Sequence, residues 1–447
     1  MEERKKMKYC HRFHDYLYLD HYNGQICMCQ WMLHKNMGIG NVINDSIESV
    51  YNSDCASHLR STMDDQSFKF CRIEACPHLQ NNDLEEISAE EYERRKLKQY
   101  YPTEINLAYD FVCNQFCETC RKTVFVPPSG YAEQMQIIYS KIAPYLDAAK
   151  RITTSGHGDP FASGHMMEVL ENLRPTDPNL SILLETNGVF FDEQHWEKIK
   201  HLSKFKLEIV VTINSFDEFI YRHISRGGNY TKVIQNLDFM SRLRENNDIT
   251  ILSNSFVIQD RNFREIPSFI ERSFINYAFD NVVLKPVYQW GTMDDDVYWF
   301  KDVLNPLHPY HQEYLEILQD PILKDSRVYN FGGDTMHESR PYPSAFSGNF
   351  IFPYETVKRN SKVVIYGAGQ VGCEFVRQLN INRYCEIILW VDNSFDNECI
   401  MPPSSLANMQ CSEYDYVVLA TLNDSFIKEM KHCLNDMNVS EERIISI

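Results

Sequence analysis

Residues 104–120 read EINLAYDFVCNQFCETC and carry the strongest chemical signal in the chain. They begin with a β-rich segment and end in three cysteines with the spacing CxxxCxxC. Cys113, Cys117 and Cys120 therefore lie on one compact loop just after a predicted strand, where the sites of strand–helix barrels are assembled. Three thiolates can hold a [4Fe-4S] cluster with one iron left free, whereas a structural zinc ion would need a fourth ligand nearby.

Five more β-rich segments follow, and amphipathic stretches with apolar residues at intervals of three and four fill the gaps between them. The segments are RITTSG at 151–156, SILLETNG at 181–188, KLEIVVTIN at 206–214, ITILSNSFVI at 249–258 and NVVLKPVY at 281–288. Alternation of strand and helix implies a parallel sheet. We therefore predict an α/β fold with a partial (βα)6 barrel over residues 104–320.

The cysteine loop at the end of the first strand resembles the cluster-binding loop of the radical S-adenosylmethionine (SAM) family. The resemblance implies a SAM-binding [4Fe-4S] cluster on Cys113, Cys117 and Cys120, with SAM on the open iron. It also implies an electron donor such as flavodoxin or ferredoxin, whose electron converts SAM into a 5'-deoxyadenosyl radical that abstracts hydrogen from the substrate. A buried or zinc-binding cysteine loop is the alternative.

Other segments match this family in the expected order. Residues 155–161, SGHGDPF, are similar to the glycine-rich acidic motif beside the SAM amino group, where the backbone must approach the ligand. Segments after the third, fourth and fifth strands look like those that flank the rest of SAM, and an arginine is expected to neutralise its carboxylate. The implied cofactor-binding residues are Gly156, Gly158, Asp159, Asn187, Asn214, Ser215, Arg226 and Val257. Thr119 and His157 depart from the residue types common in the family.

Residues 1–85 form a second cysteine-rich segment, which we predict to be a separate module. The pattern C-x13-G-x4-C begins at Cys10, and a C-x4-C pair begins at Cys71. Together they resemble the SPASM or twitch domain, which normally follows the barrel and holds an auxiliary iron-sulfur cluster. The resemblance implies one auxiliary cluster, with Cys27 and Cys55 as spare cysteines, and zinc is the alternative metal. The implied ligands are Cys10, Cys29, Cys71 and Cys76.

The C-terminal residues 361–447 predict a small Rossmann-like, doubly wound domain. A glycine-rich turn follows a strand and opens a helix, and an acidic residue ends the next strand at the offset of a ribose-binding acid. These residues are Gly367, Gly369, Gly372 and Asp392. They favour a docking domain or vestigial scaffold, because the same turn serves structurally in many small nucleotide-fold domains, and a bound NAD(P) or other nucleotide is the alternative. The pieces IYGAGQVG and LWVDNS resemble modules attached to enzymes of cell-surface glycan assembly.

Two linkers complete the predicted organisation. Residues 86–103 are polar and predict a linker helix, and residues 321–360 are rich in Pro, Gly and Ser. The predicted order is therefore module, linker helix, barrel, linker and C-terminal domain.

Composition excludes several classes of function. Lys and Arg total 44 against 62 Asp and Glu, and the formal charge of −18 disfavours a nucleic-acid partner. The charged N-terminus and the lack of long apolar runs argue against a signal peptide or a membrane span. The 14 cysteines then indicate metal or cluster ligands in a reducing compartment, so we expect a cytoplasmic protein.

These observations favour a radical SAM enzyme that abstracts hydrogen from a sugar, nucleotide-sugar or related glycan precursor, for epimerisation, dehydrogenation or dehydration. The substrate rests only on the resemblance of the C-terminal domain. A radical SAM maturase of ribosomally made peptides is the first alternative, because SPASM-type barrels often modify peptides. A non-enzymatic zinc or iron-sulfur protein that senses redox state or acts as a scaffold is the second.

Overall fold

The structure is a computed structural model that describes residues 6–32, 38–72, 76–80, 82–96, 102–154, 156–290, 292–332, 350–354, 356–393, 400–410 and 412–446. The chain divides into two compact units. The first contains the described residues within Met1–Val257, Glu265–Lys285 and Asp320–Thr335. The second contains those within Ile258–Arg264, Pro286–Gln319 and Met336–Ile447.

Strands and helices alternate along most of the chain. The strands are β1 Lys6–Tyr9, β2 Tyr16–Leu19, β3 Gln25–Cys27, β4 Gly38–Asn41, β5 Glu85–Ser88, β6 Glu104–Leu107, β7 Arg151–Thr154, β8 Ser181–Thr186, β9 Lys206–Thr212, β10 Ile251–Ile258, β11 Asn281–Pro286, β12 Val328–Asn330, β13 Lys362–Tyr366, β14 Glu386–Val391, β15 Tyr416–Leu419 and β16 Ile444–Ser446.

The α-helices are α1 Arg12–Asp15, α2 Ile47–Tyr51, α3 Asp54–Asp64, α4 Pro77–Gln80, α5 Ala89–Lys96, α6 Tyr131–Asp147, α7 Gly164–Asn172, α8 Glu193–Ile199, α9 Glu218–Ile224, α10 Tyr230–Glu245, α11 Ile266–Asn276, α12 Asp295–Lys301, α13 His311–Ile317, α14 Gln370–Asn382 and α15 Asp424–Asp436. Short 3-10 helices cover Lys200–Lys204, Phe263–Glu265, Pro321–Lys324, Pro403–Asn408 and Glu441–Arg443.

A ten-stranded sheet forms the frame of the first unit, in the order β12-β11-β10-β9-β8-β7-β6-β2-β3-β4. Strands β6 to β10 pair in parallel with their neighbours, as do β11 and β12. The six strand segments predicted for the barrel are all present as strands β6 to β11. They lie side by side in the sheet in the order in which they occur along the chain. The predicted α/β class with a parallel barrel sheet is confirmed.

The barrel sheet is strongly curved. Lys285 Nζ lies 3.7 Å from Glu185 Oε1, although β11 and β8 are three positions apart in the sheet. A flat sheet would separate these strands by about 14 Å, so the contact fits a sheet that is concave on the face that carries Glu185 and Lys285. Directly paired residues share a face, and the registers therefore place Tyr18, Cys27 and Ala108 on this concave face as well.

The N-terminal cysteine-rich segment is joined to the barrel through this sheet. Strand β2 pairs in parallel with β6, with Leu17 opposite Ile105, and β3 and β4 continue antiparallel beyond it. The segments that carry the two sets of cysteines are therefore joined by one sheet. This sheet contains strands from both sides of the boundary predicted at residue 85. In the first predicted linker, β5 pairs with β1 and α5 follows, while residues 97–101 lie outside the described residues. Residues 333–349 and 355 of the second predicted linker also lie outside them.

The C-terminal part of the second unit is a four-stranded parallel sheet in the order β14-β13-β15-β16. Helix α14 connects β13 to β14, and the chain then crosses to the other side of β13 to form β15. The glycine-rich turn therefore lies where the strand order reverses. A Cβ atom on Gly372 would come within 1.8 Å of the Gly367 carbonyl oxygen, so this tight strand-to-helix turn requires glycine.

The shared sheet leads to a stability prediction. Leu17 on β2 is fully buried, and we expect Leu17→Ala to lower the free energy of unfolding by about 2–5 kcal/mol because it leaves a cavity. Since β2 and β6 belong to one sheet, the loss should appear in the barrel as well as in the N-terminal segment. Urea unfolding followed by hydrogen exchange at β6 and β7 measures this. Val126→Ala, at a site 80% exposed, is the control, and unchanged protection of β6 in Leu17→Ala would contradict the prediction.

Candidate active site and cluster-binding sites

The three cysteines of the CxxxCxxC loop line one cavity at the carboxyl ends of the barrel strands. The cavity has an empty volume of about 860 Å³, including the solvent at its open mouth. Four other predicted cofactor residues from the loops after β7 and β8, and one after β9, line the same cavity. They are Gly156, Gly158, Asp159, Asn187 and Asn214. The structure thus brings together the cysteines and most of the predicted SAM contacts.

The cysteine loop is compact because its second half forms a single helical turn. The backbone N–H groups of Cys120 and Arg121 both donate to the Cys117 carbonyl, at 2.9 and 3.1 Å. Burial raises the pKa of Cys113 to about 12, and burial followed by the neighbouring thiols Cys120 and Cys113 raises the pKa of Cys117 further. Cys113 and Cys117 can become thiolates together only when a cationic group binds them.

Arg226 supports this loop from behind. Its Nε donates to the Phe116 carbonyl at 3.1 Å and its Nη2 to the Arg121 carbonyl at 3.3 Å. The Phe116 N–H in turn donates to the Arg226 carbonyl at 2.9 Å, and the guanidinium lies 5.1 Å from the centre of the Phe116 ring. Arg226 does not line the cavity, so its contacts hold the cysteine loop in place, and its predicted contact with the SAM carboxylate stays a prediction.

Asp159 connects the loop after β7 to the end of β8. Its Oδ2 accepts hydrogen bonds from Thr186 Oγ1 at 2.9 Å and the Asn187 N–H at 2.7 Å, and its Oδ1 accepts from the N–H groups of Phe161 and Ala162. Burial raises the pKa of this carboxyl, while the four hydrogen bonds oppose the rise. Asp159 therefore fixes the shape of the cavity wall.

Gly158 allows the loop after β7 to approach the backbone that follows β6. A Cβ atom at this position would lie 2.3 Å from the Asp110 carbonyl oxygen and 2.8 Å from that of Val112. Any side chain would push the loop away, which is the physical reason for glycine in the GHGDP motif.

The other predicted SAM residues are placed differently. Asn187 Nδ2 donates to Asn114 Oδ1 at 2.9 Å, so it links the β8 end to the cysteine loop. Asn214, at a φ of +60°, accepts the Val257 N–H at 2.8 Å and joins the ends of β9 and β10. Ser215 is buried and donates to Glu265 Oε2 at 2.7 Å. Ser215 and Val257 do not line the cavity, and their predicted SAM contacts stay predictions.

A second cavity contains the four cysteines predicted for the auxiliary site. Cys10, Cys29, Cys71 and Cys76 line it together with Arg12, His78 and the apolar side chains Phe13, Trp31, Phe68, Leu79 and Leu84. Burial, followed by the charge of Cys29, raises the pKa of Cys10 to about 12, and burial raises that of Cys71 to about 12. Cys27 and Cys55 lie outside this cavity. In the described part of the chain, no three His, Cys, Asp or Glu side chains form a group that could hold a single metal ion.

Two contacts around the first cavity were not predicted from the sequence. His157 lines the first cavity, and its Nε2 lies 3.7 Å from Asp20 Oδ1 at the end of β2. Glu185 also lines this cavity and pairs with Lys285. No spacing links these residues in the sequence, because each pair joins distant strands. Only the unusual histidine in the GHGDP motif gave a signal.

In the C-terminal domain, the glycine-rich turn after β13 is hydrogen-bonded to Asp392, the predicted ribose-binding residue. The Ala368 N–H donates to Asp392 Oδ2 at 2.6 Å, and Trp390 Nε1 donates to the Gly367 carbonyl at 2.9 Å. A Cβ atom on Gly369 would meet nothing within 4 Å. The predicted strand, glycine turn and helix are therefore present, and nucleotide binding there stays a prediction.

Comparison with protein-family models gives three matches. Residues 111–272 match the Radical SAM superfamily, residues 10–78 match the iron-sulfur cluster-binding domain named SPASM, and residues 359–445 match a model described as C2185-like, N-terminal. No match was found among curated proteins.

Among solved structures, the chain is similar to native anSMEcpe with bound AdoMet, at 16% identity and a TM-score of 0.31, over 49% of this chain and 57% of that one. It is also similar to methylornithine synthase (PylB), at 14% identity and a TM-score of 0.31, over 48% of this chain and 65% of that one. A radical SAM methyltransferase from Sphaerobacter thermophilus matches at 15% identity and a TM-score of 0.28, over 49% and 62%. The chain thus spans about three fifths of the length of these proteins.

The family matches and the site agree on the class of domain: residues 111–272 form a radical SAM domain. More particularly, a SPASM domain at residues 10–78 precedes it. The predicted family, fold class and cofactors are confirmed, namely a [4Fe-4S] cluster with SAM and auxiliary iron-sulfur binding. None of the described helices is long and apolar enough to cross a membrane.

The close approach at Gly158 gives a direct test of the cavity wall. We expect Gly158→Ala to weaken SAM binding strongly and to lower the free energy of unfolding by about 1–3 kcal/mol, because the new methyl group collides with the Asp110 carbonyl. Calorimetric titration with SAM and thermal unfolding measure the two effects. Gly164→Ala is the matched control, since a Cβ there meets nothing within 4 Å. Equal SAM affinity in both variants would show that this loop does not form the binding wall.

Proposed function

We propose that the chain cleaves SAM reductively and abstracts hydrogen from an unactivated carbon of a sugar, nucleotide-sugar or related glycan precursor. The observation that carries the radical step is the set of three half-buried thiols, Cys113, Cys117 and Cys120, on the wall of an open cavity. Three thiols fit a [4Fe-4S] cluster that keeps one iron free, and the cavity beside them opens to solvent, so a cofactor and substrate can reach that iron.

When bound, the cluster and SAM supply a 5'-deoxyadenosyl radical, formed with one electron from a donor such as flavodoxin or ferredoxin, and this radical takes a hydrogen atom from the substrate. The protein side chains prepare the cavity for that step. Asp159 and Gly158 shape the wall after β7, Arg226 holds the cysteine loop, and Asn187 ties the loop to β8. These contacts support a preorganised site with little freedom for the reacting groups.

The polar character of the concave face supports a polar substrate. Glu185 lines the cavity and pairs with Lys285, and both side chains remain about one third exposed. Deeper on the same face, Arg151 lies 3.5 Å from Glu208 across the strands. Paired but accessible charges can exchange their partner for hydroxyl, phosphate or amide groups of a ligand. The likeness of the C-terminal residues to modules of glycan-assembly enzymes favours a sugar or glycan precursor within this class.

The radical step is tested with Cys117→Ser. We expect reconstituted, dithionite-reduced protein to convert SAM into 5'-deoxyadenosine, and the variant to fall to background, because two thiolates no longer hold the cluster. Anaerobic incubation followed by chromatography measures the product. Cys55→Ser is the control, since Cys55 is exposed and lies outside both cavities. Equal product from wild type and Cys117→Ser would rule out the proposed reaction.

The substrate class is tested by comparing ligands. We expect nucleotide sugars or glycan precursors, and not short peptides, to raise the yield of 5'-deoxyadenosine. A ring-deuterated substrate should transfer deuterium into that product, which mass spectrometry detects. Lys285→Met should weaken the stimulation, because it removes one charge from the polar face. Stimulation and deuterium transfer with a peptide instead would favour the peptide maturase.

A further inference from the structure

Among the residues that the structure describes, Arg12 lines the auxiliary cysteine cavity as a cation with no carboxylate partner. None of the ion pairs formed by the described residues includes it, and its Nε atom is buried without a hydrogen-bond partner. The nearby Glu104 is already paired with His11 at 3.3 Å. A guanidinium among apolar side chains is costly unless an anion lies beside it. The position therefore calls for an anionic group inside the cavity.

The atoms closest to the guanidinium identify that group. Arg12 Nη1 lies 3.8 Å from Cys29 Sγ, and the Trp31 N–H donates to the same sulfur at 3.4 Å. A cluster held by four cysteine thiolates carries net negative charge, and it becomes more negative on reduction. Arg12 thus stands where it would interact with the sulfur ligand of such a cluster and favour its reduced state.

Arg12 also contacts the concave face of the sheet. Its guanidinium lies 4.8 Å from the centre of the Tyr16 ring, and Tyr16 stacks on Tyr18 at 6.4 Å. Asn106 Nδ2 donates to the Tyr16 hydroxyl at 3.1 Å. Tyr16 and Tyr18 share the face on which Glu185 and Lys285 lie, so Arg12 contacts this face at the amino end of β2.

We propose that Arg12 is a positioning residue that raises the reduction potential of the auxiliary iron-sulfur cluster by placing its positive charge beside Cys29. This inference rests on the proposed function in that the auxiliary site must hold iron and sulfide. Hydrogen bonds and charges next to the sulfur ligands are among the main determinants of cluster potentials. The auxiliary cluster would thereby be poised to accept an electron.

The experiment uses the full chain with Cys113, Cys117 and Cys120 replaced by alanine, so that only the auxiliary cluster contributes to the signal. Redox titration followed by electron paramagnetic resonance gives the potential of that cluster. We expect Arg12→Gln and Arg12→Met to shift the potential to more negative values, and Arg12→Lys to restore most of the shift because it keeps the charge. Arg94→Gln is the control for charge, since Arg94 is an exposed partner of Glu91 on α5.

Leu79→Ala controls for damage to the cavity, because Leu79 lines the same cavity but carries no charge. A looser, wetter cavity should leave the potential unchanged or move it to more positive values, opposite to the effect expected for Arg12. An unchanged potential in Arg12→Gln and Arg12→Met would overturn the proposal. If Arg12→Gln and Arg12→Met both lose the cluster, retention of the cluster in Arg12→Lys supports the proposal. Loss of the cluster in Arg12→Lys, with retention in Leu79→Ala, overturns the proposal. Iron, sulfide and zinc are also measured in the protein that keeps Arg12. Zinc in place of iron and sulfide there would mean that the iron-sulfur assignment of the auxiliary site has failed, which is a separate result from failure of the Arg12 proposal.

Discussion

A thiol inside an apolar pocket holds its proton strongly, and this cost determines how both cluster sites are built. Cys113 and Cys10 each have a pKa raised to about 12, chiefly by burial. Such cysteines serve as ligands only when the metal group replaces their protons, so binding of the cluster and loss of protons are one event. The protein supplies the partly buried setting and the fixed sulfur positions, and the cluster supplies the compensating charge.

One sheet connects the two sites. The barrel domain and the SPASM domain are separate matches along the chain, yet β2 extends the barrel sheet beside β6, and β3 and β4 follow it. The auxiliary cysteines are positioned by the same hydrogen-bonded framework as the radical SAM cavity. This arrangement explains how a SPASM domain that precedes the barrel in sequence can still face the substrate side. The end of β2 brings Asp20 to His157 in the wall of the cavity.

The buried polar contacts of the cavity serve mainly to hold backbone segments at short distances. The Asp159 carboxylate accepts hydrogen bonds from four N–H and O–H donors, and the Arg226 guanidinium donates hydrogen bonds to two carbonyl groups at the cysteine loop. Both residues are charged, but their described partners are protein groups. This fits a site in which the reactive chemistry belongs to the cofactor and the protein contributes orientation and exclusion of water.

The cysteine loop, the GHGDP motif and the order of barrel strands were evident in the sequence, because each depends on residues close together in the chain, and local spacing fixes their relative positions. The auxiliary ligand set was also predicted, although its four cysteines span two distant segments, because their spacing resembles a known domain. The pairing of β2 with β6, the Glu185–Lys285 contact and the place of Arg12 beside Cys29 depend on the tertiary structure. These contacts join distant residues whose side chains meet only through sheet curvature and strand register, and no local pattern encodes either. For the same reason the folded chain, and not the motif, placed Arg226, Ser215 and Val257 outside the cavity.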